Sequence, residues 1–125
     1  MSIKSIEKLI SLEKEARGFG FDWPDHEMVI DQAISESEEV RNAINQGESQ
    51  ERIKEEVGDL IHTAISVCMF LGFTVEETTD IVADKFAKRF GHVKNIANEQ
   101  GFENLKGQTT EKLVEIWNEA KRRSE

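Results

Sequence analysis

Helical periodicity is the feature that most limits what this chain can fold into. Apolar residues recur every three or four positions in five successive segments, and no segment alternates apolar with polar residues as a half-buried β-strand does. Glycines and the single proline separate the segments, and both residue types commonly end helices. The pattern predicts an all-α fold, an antiparallel bundle of four to five helices. The predicted helices cover about residues 2–17, 25–46, 49–71, 74–100 and 110–122.

Length and charge limit the class of protein further. A chain of 125 residues has room for one domain, so we expect a single domain over residues 1–125. Sixteen Lys and Arg against 25 Asp and Glu give a net charge of −9. This charge argues against binding to a nucleic acid polymer or to an anionic membrane, since both require cationic surface.

Cysteine content and hydropathy indicate the expected cellular location of the chain. One cysteine excludes a disulfide framework and a Cys-rich zinc site. The first residues do not form a signal peptide, because lysine and glutamate interrupt their apolar positions. The longest apolar stretch, from Ala64 to Phe73, is too short to span a bilayer. We therefore expect a cytoplasmic globular domain.

Acidic residues lie beside the apolar stripe of the second predicted helix. On a helical wheel, Glu36 falls at the edge of this stripe, and Glu39 follows on the same flank one turn later. Glu38 points away from the stripe and is expected to be an ordinary surface charge. The predicted buried stripe consists of Val29, Ile30, Ala33, Ser37, Val40 and Ile44.

The third predicted helix repeats this arrangement, with Glu56 on the flank and Asp59 three residues later. Four carboxylates facing one another repel unless a positive charge lies between them, and hard divalent cations such as Mg²⁺ prefer oxygen ligands. The pattern therefore predicts a metal site, the alternative being solvated side chains in a chain rich in acid. The predicted buried stripe of this helix consists of Ile53, Val57, Leu60, Ala64, Val67 and Leu71.

Basic residues are concentrated in the fourth predicted helix. Lys85 and Arg89 are four residues apart and therefore share a face. This face is either a phosphate-binding surface, with lysine as a point charge and arginine as a fork, or a solvated basic face. In the last helix, Trp117 shares a stripe with Leu113 and Ala120, which indicates core packing.

Several of these motifs together resemble the MazG-like nucleoside triphosphate pyrophosphohydrolases. Glu36-x-x-Glu39-Val40 and Glu56-x-x-Asp59, with 16 residues between Glu39 and Glu56, resemble the EExxE…ExxD signature of that family. Residues 84–93, DKFAKRFGHV, are similar to the basic segment of the family, and residues 113–117 resemble the tryptophan-bearing stretch of its last helix. The resemblance covers about residues 20–120. It departs from the family at Ser35, where the first glutamate usually stands.

The resemblance implies an all-α fold and Mg²⁺-dependent cleavage of a nucleoside triphosphate, NTP or dNTP, to the monophosphate and pyrophosphate. Mn²⁺ is a possible substitute for Mg²⁺. By position, the resemblance makes Glu36, Glu39, Glu56 and Asp59 the metal ligands. It also makes Lys85 and Arg89 phosphate contacts, with Trp117 bordering the nucleotide.

Our leading hypothesis is attack on the α-phosphorus by a metal-activated water, with Glu36 or Glu39 as its base. The alternative is a non-catalytic helical module that senses nucleotide or binds another protein. The third helix is apolar nearly all round, and a small bundle covers such a helix only partly. We therefore expect a homo-oligomer, either a homodimer or a homotetramer, and the family resemblance points the same way.

Overall fold

The computed structural model describes residues 4–125, and within this range it contains five α-helices and no β-strand. The predicted all-α fold is therefore confirmed. Residues 2 and 3 of the first predicted helix lie outside the described residues. The helices are α1 Lys4–Gly18, α2 His26–Asn45, α3 Gln50–Phe70, α4 Val75–Glu99 and α5 Thr110–Arg123.

Local hydrogen bonds explain where the helices begin and end. The Asp25 side chain accepts a hydrogen bond from the backbone N–H of Met28, and Ser49 and Thr109 cap α3 and α5 in the same way. Such caps satisfy backbone donors that a helix leaves free in its first turn. Gly47 follows α2 with a φ of 66°, a left-handed conformation that glycine adopts without strain. The short connection makes α2 and α3 an antiparallel hairpin.

Packing divides the chain into two compact units, one up to Val75 and one from Glu76 to Glu125. In the first unit, α2 packs along α3. Val29 and Ala43 of α2 and Ile65 of α3 are its buried apolar side chains among the described residues. The prediction of one domain over residues 1–125 stays a prediction.

Helix α1 contacts α3 mainly through polar groups, and none of its described residues is buried. The Glu13 carboxylate accepts hydrogen bonds from His62 and from the hydroxyl of Ser66. Arg17 donates to the backbone oxygen of Ser66, and its guanidinium lies 5.9 Å from the ring centre of Phe70. This contact therefore depends on charge and hydrogen bonding more than on apolar burial.

The second unit has its own apolar cluster. Ile96 of α4 packs with Ile116 and Ala120 of α5, and Val93 and Leu105 cover this group. At the end of α5, Arg123 donates two hydrogen bonds to Glu99, at 2.8 and 2.9 Å. These bonds hold the pKa of Glu99 below its usual value and raise the pKa of Arg123.

The predicted buried stripe of α2 is wrong at several positions. Ile30 and Ile44, expected inside, are 40% and 56% exposed, whereas Val29, Glu36 and Ala43 form the buried line at seven-residue spacing. A helical wheel assigns the most apolar face of a helix to the core, but in this chain an acidic face of α2 packs against α3. Glu36 therefore lies within the buried face and not at its edge.

The buried face of α3 also differs from the predicted one. Glu56, Thr63, Ile65 and Ser66 are buried, whereas Val57, predicted inside, is 40% exposed. Two of the polar side chains have hydrogen-bond partners: the Thr63 hydroxyl donates to the backbone oxygen of Asp59, and the Ser66 hydroxyl donates to Glu13 of α1. The apolar face of α3 is therefore left partly uncovered within this chain.

Taken singly, none of the helices between residues 4 and 125 is long and apolar enough to cross a membrane. Taken together as a bent pair, α3 and α4 are long and apolar enough to meet this criterion, on length and composition alone.

Candidate metal centre

A cluster of carboxylates lies between the two helices of the hairpin. Oxygen atoms of Glu36, Glu56 and Asp59 all lie within 4.8 Å of one another. Glu36 is 9% exposed and Glu56 is 4% exposed, whereas Asp59 is open to solvent. The packing of α2 against α3 therefore brings three of the four predicted ligands into one group.

Glu39 joins the same group from the next turn of α2. The nearby carboxylate of Glu36, and after it that of Glu56, raises the pKa of Glu39 above its usual value. Such a shift requires carboxylates in close contact. Glu38, in contrast, is exposed and forms an ion pair with Arg41 at 3.0 Å. The helical wheel was therefore correct in placing Glu39 beside the acidic group and Glu38 away from it.

Each buried glutamate is held by a side chain four residues earlier in its own helix. The Gln32 amide nitrogen donates to Oε1 of Glu36 at 2.7 Å. The Arg52 guanidinium contacts Oε1 of Glu56 at 2.6 Å. Among residues 4–125, the buried Oε2 atoms of both glutamates have no hydrogen-bond partner. One oxygen of each carboxylate is therefore fixed and the other is free.

This arrangement fits a hard divalent cation. Buried carboxylate oxygens without partners are costly, and a cation removes that cost. The three carboxylate oxygens lie close enough together that they could hold one divalent ion, and Mg²⁺ binds oxygen ligands of this kind. Glu36, Glu39, Glu56 and Asp59 are thus the residues that could hold it.

The predicted phosphate-binding residues belong to the second unit. Lys85 is exposed on α4, and Arg89 follows one turn later, half-buried. The Arg89 guanidinium lies 5.8 Å from the ring centre of Trp117, whose ring also contacts Phe86. Within the described chain, the buried Nε of Arg89 has no hydrogen-bond partner. The second unit therefore brings Arg89 and Trp117 together, as a cation over an aromatic ring.

A cavity of about 670 Å³ opens in the first unit between α1, α2 and α3. Its walls are mostly apolar, with a few polar groups directed inward, which is usual for small-molecule sites. Gln32 lines this cavity and also donates to Glu36, so the cavity adjoins the carboxylate cluster. Other lining residues include Leu9, Glu13, Phe21, Trp23 and His62.

Fold and site together define a class: all-α proteins with an all-carboxylate cluster across a helical hairpin. The chain belongs to the family of the MazG nucleotide pyrophosphohydrolase domain, whose family model matches residues 25–94. The matched range contains both acidic pairs and the basic residues of α4. The resemblance stated from the sequence motifs is thereby confirmed.

Several relatives of this chain carry names that describe an activity. A nucleoside triphosphate pyrophosphohydrolase of Escherichia coli K12 is 29% identical over 122 residues, covering 97% of this chain and 46% of that protein. The nucleoside triphosphate pyrophosphohydrolase/pyrophosphatase MazG of Thermotoga maritima is 30% identical over 110 residues, covering 88% of this chain and 41% of that protein. This chain therefore spans about half the length of the curated relatives it matches.

Sequence reasoning missed the side chains that support the acidic pairs. Gln32 and Arg52 each stand four residues before a predicted ligand. Donors at this spacing share a helix face with the carboxylate, so the signal was present in the sequence. Glu13 and Trp23 of the cavity had no comparable signal, because α1 and the following loop reach the site only through the tertiary fold.

Proposed function

We propose that this protein is a Mg²⁺-dependent nucleotide pyrophosphohydrolase that cleaves an NTP or dNTP to the monophosphate and pyrophosphate. The observation that carries this proposal is the carboxylate cluster, in which Glu36 and Glu56 each keep one buried oxygen free. Membership of the MazG family and the activity for which the Escherichia coli and Thermotoga maritima relatives are named support the same activity.

The proposed metal ligands are Glu36, Glu39, Glu56 and Asp59. A bound metal would act as a Lewis acid towards phosphate oxygens and would lower the pKa of a water molecule. The proposed reaction is attack of this water on the α-phosphorus, with pyrophosphate as the leaving group. The protein's part is to hold and deprotonate that water through Glu36 or Glu39. A covalent nucleophile is not required for this reaction.

Lys85 and Arg89 are the proposed phosphate contacts. Their charges would neutralise the negative charge that develops on the pyrophosphate leaving group. Arg89 is half-buried beside Trp117, and the planar fork of its guanidinium suits the oxygens of a phosphate.

The nucleoside has two candidate neighbours. Trp117 is the one implied by the family motif, and its ring lies beside Arg89. Trp23 is the other, because it lines the cavity that adjoins Glu36 through Gln32. Either aromatic ring offers a surface on which a flat base could stack.

The direct test is a pyrophosphate-release assay with a panel of NTPs and dNTPs, with and without Mg²⁺. We expect release of one pyrophosphate for each nucleoside monophosphate formed, and no release when the metal is chelated. Release of orthophosphate, or turnover that persists with a chelator, would contradict the proposal.

A non-catalytic module is the second candidate, and Ser35 is the observation that favours it. The family's first glutamate usually stands at this position, so the site has one carboxylate fewer. In that case nucleotide binds with Mg²⁺ but is recovered intact. The same assay, combined with a binding measurement, separates the two functions.

We further propose a homodimer or homotetramer located in the cytoplasm. The large exposed side chains of the hairpin support self-association, since Ile34, Ile44 and Ile61 are each more than half exposed. The proposed location follows from the proposed substrate, since nucleoside triphosphates are cytoplasmic metabolites.

A further inference from the structure

The two buried glutamates of the carboxylate cluster are supported in matching ways. On α2, Gln32 donates to Oε1 of Glu36, and on α3, Arg52 contacts Oε1 of Glu56. Both donors stand four residues before the carboxylate they hold. In both cases Oε2 is buried and has no partner within residues 4–125.

We infer that Gln32 and Arg52 are positioning residues for the metal, an inference that rests on the proposed function. A carboxylate rotates about its last single bond, and without a fixed oxygen it presents either atom in many directions. Each donor occupies one oxygen, and the free oxygen of Glu36 and of Glu56 is then left for the cation. Partners of this kind commonly set both the orientation of ligands and the affinity for the metal.

The two donors differ in charge, and this difference makes the inference testable. Gln32 is neutral, whereas Arg52 is a cation that would repel a divalent ion next to Glu56. If Arg52 acts by holding Oε1, a neutral donor of similar reach should replace it. The chain itself uses glutamine for this purpose, at the same spacing, in front of Glu36.

The experiment measures Mn²⁺ affinity by calorimetry for the full chain, independently of turnover. The variants are Gln32→Met, which keeps the side-chain length but removes the donor, together with Arg52→Ala and Arg52→Gln. The matched control is Arg41→Ala, which deletes an exposed arginine of α2 that pairs with Glu38 at 3.0 Å. Thermal unfolding without metal checks that every variant folds.

We expect Gln32→Met and Arg52→Ala to weaken Mn²⁺ binding about 10–100-fold. Arg52→Gln should recover most of the affinity, and Arg41→Ala should match the wild type. At saturating Mg²⁺, kcat should return towards the wild-type value while the apparent KM for Mg²⁺ stays raised. A purely structural role would instead lower the unfolding temperature without this dependence on the metal.

Three results would overturn the inference. Wild-type affinity in Gln32→Met and Arg52→Ala would show that the donors do not orient the ligands. Tighter binding in Arg52→Ala, or no recovery in Arg52→Gln, would show that the charge of Arg52 matters and its hydrogen bond does not. If the wild type itself binds no Mn²⁺, the proposed function fails together with this inference, whereas any of the other results leaves the proposed function standing.

Discussion

Glu36 on α2 and Glu56 on α3 are both at least nine-tenths buried, and each keeps one carboxylate oxygen without a hydrogen-bond partner among the described residues. Two like charges in this position cost free energy of folding unless a cation or a proton lies between them. We therefore expect a bound cation to stabilise the hairpin core.

The first prediction concerns the buried ligands. Glu36→Gln keeps the shape of the side chain but removes its charge, so turnover should fall by more than the roughly 100-fold typical of losing an outer partner. Stability without metal should be unchanged or increased, because one repulsion is removed. The control is Glu38→Gln, two residues away and paired with Arg41 at the surface. Equal damage from both substitutions would contradict the assignment of Glu36.

The second prediction concerns pH. The nearby carboxylate of Glu36 raises the pKa of Glu39 above its ordinary value of 4.5 in the folded protein. The folded state therefore binds more protons than the unfolded state, and this stabilisation is lost as pH rises from about 4.5 through the raised pKa. The unfolding temperature of the metal-free protein should fall over that range, and less so in Glu39→Gln. An unchanged pH dependence in Glu39→Gln would contradict this account.

The same measurement with metal gives a third prediction. A cation that binds only the folded state adds about 2.7 kcal/mol to the free energy of unfolding when its concentration is 100-fold above Kd. Mg²⁺ or Mn²⁺ should therefore raise the unfolding temperature of the wild type. Neither ion should raise the unfolding temperature of the double variant that combines Asp59→Asn with Glu36→Gln. Equal stabilisation of this double variant would place the metal elsewhere.

The fourth prediction separates phosphate contact from metal binding. Arg89→Ala removes a charged hydrogen-bond donor worth about 1.5–3 kcal/mol, which corresponds to roughly a ten- to hundredfold loss in kcat/KM. Arg89→Lys should recover only part of the loss, because the fork geometry is absent. Mn²⁺ affinity without nucleotide should stay at the wild-type value. Loss of metal binding with unchanged turnover would contradict this division of roles.

The fifth prediction uses the fact that the chain contains two tryptophans and no tyrosine. Trp117→Phe leaves Trp23 as the sole tryptophan fluorophore, and Trp23→Phe leaves Trp117. Nucleotide added with Mg²⁺ should quench the ring on which the base stacks, and pyrophosphate with Mg²⁺ should not. A response from neither ring would contradict base stacking on tryptophan.

The helix boundaries could be predicted from the sequence because local chemistry sets them. Gly47 ends α2 and Ser49 caps α3, and both signals act within a few residues. The acidic pairs were predicted for a similar reason, since residues three apart share a helix face. The buried faces could not be predicted, because Ile30 and Ile44 are apolar but exposed in this chain. A helical wheel does not distinguish a face buried within the chain from a face that another surface covers.

The residues that support the ligands, and those that line the cavity, could be identified only from the tertiary fold. Gln32 is an ordinary polar residue on a wheel until Glu36 is known to be buried. Glu13 and Trp23 lie far from the acidic motifs in sequence and reach the cavity only because α1 contacts α3. The sequence therefore predicted which acidic side chains lie together better than it predicted the residues around them.

The antiparallel hairpin of α2 and α3 also has a consequence for how the protein folds. All four carboxylates lie within residues 36–59, on two helices joined by a tight turn. Contacts between segments so close in sequence form early and quickly, ahead of contacts between distant segments. The repulsion between the carboxylates is therefore already present when the hairpin closes, before the native state is complete. A divalent cation that bridges the helices at this stage would lower the barrier to folding, so the cell's supply of metal would influence the rate at which the chain reaches its native state.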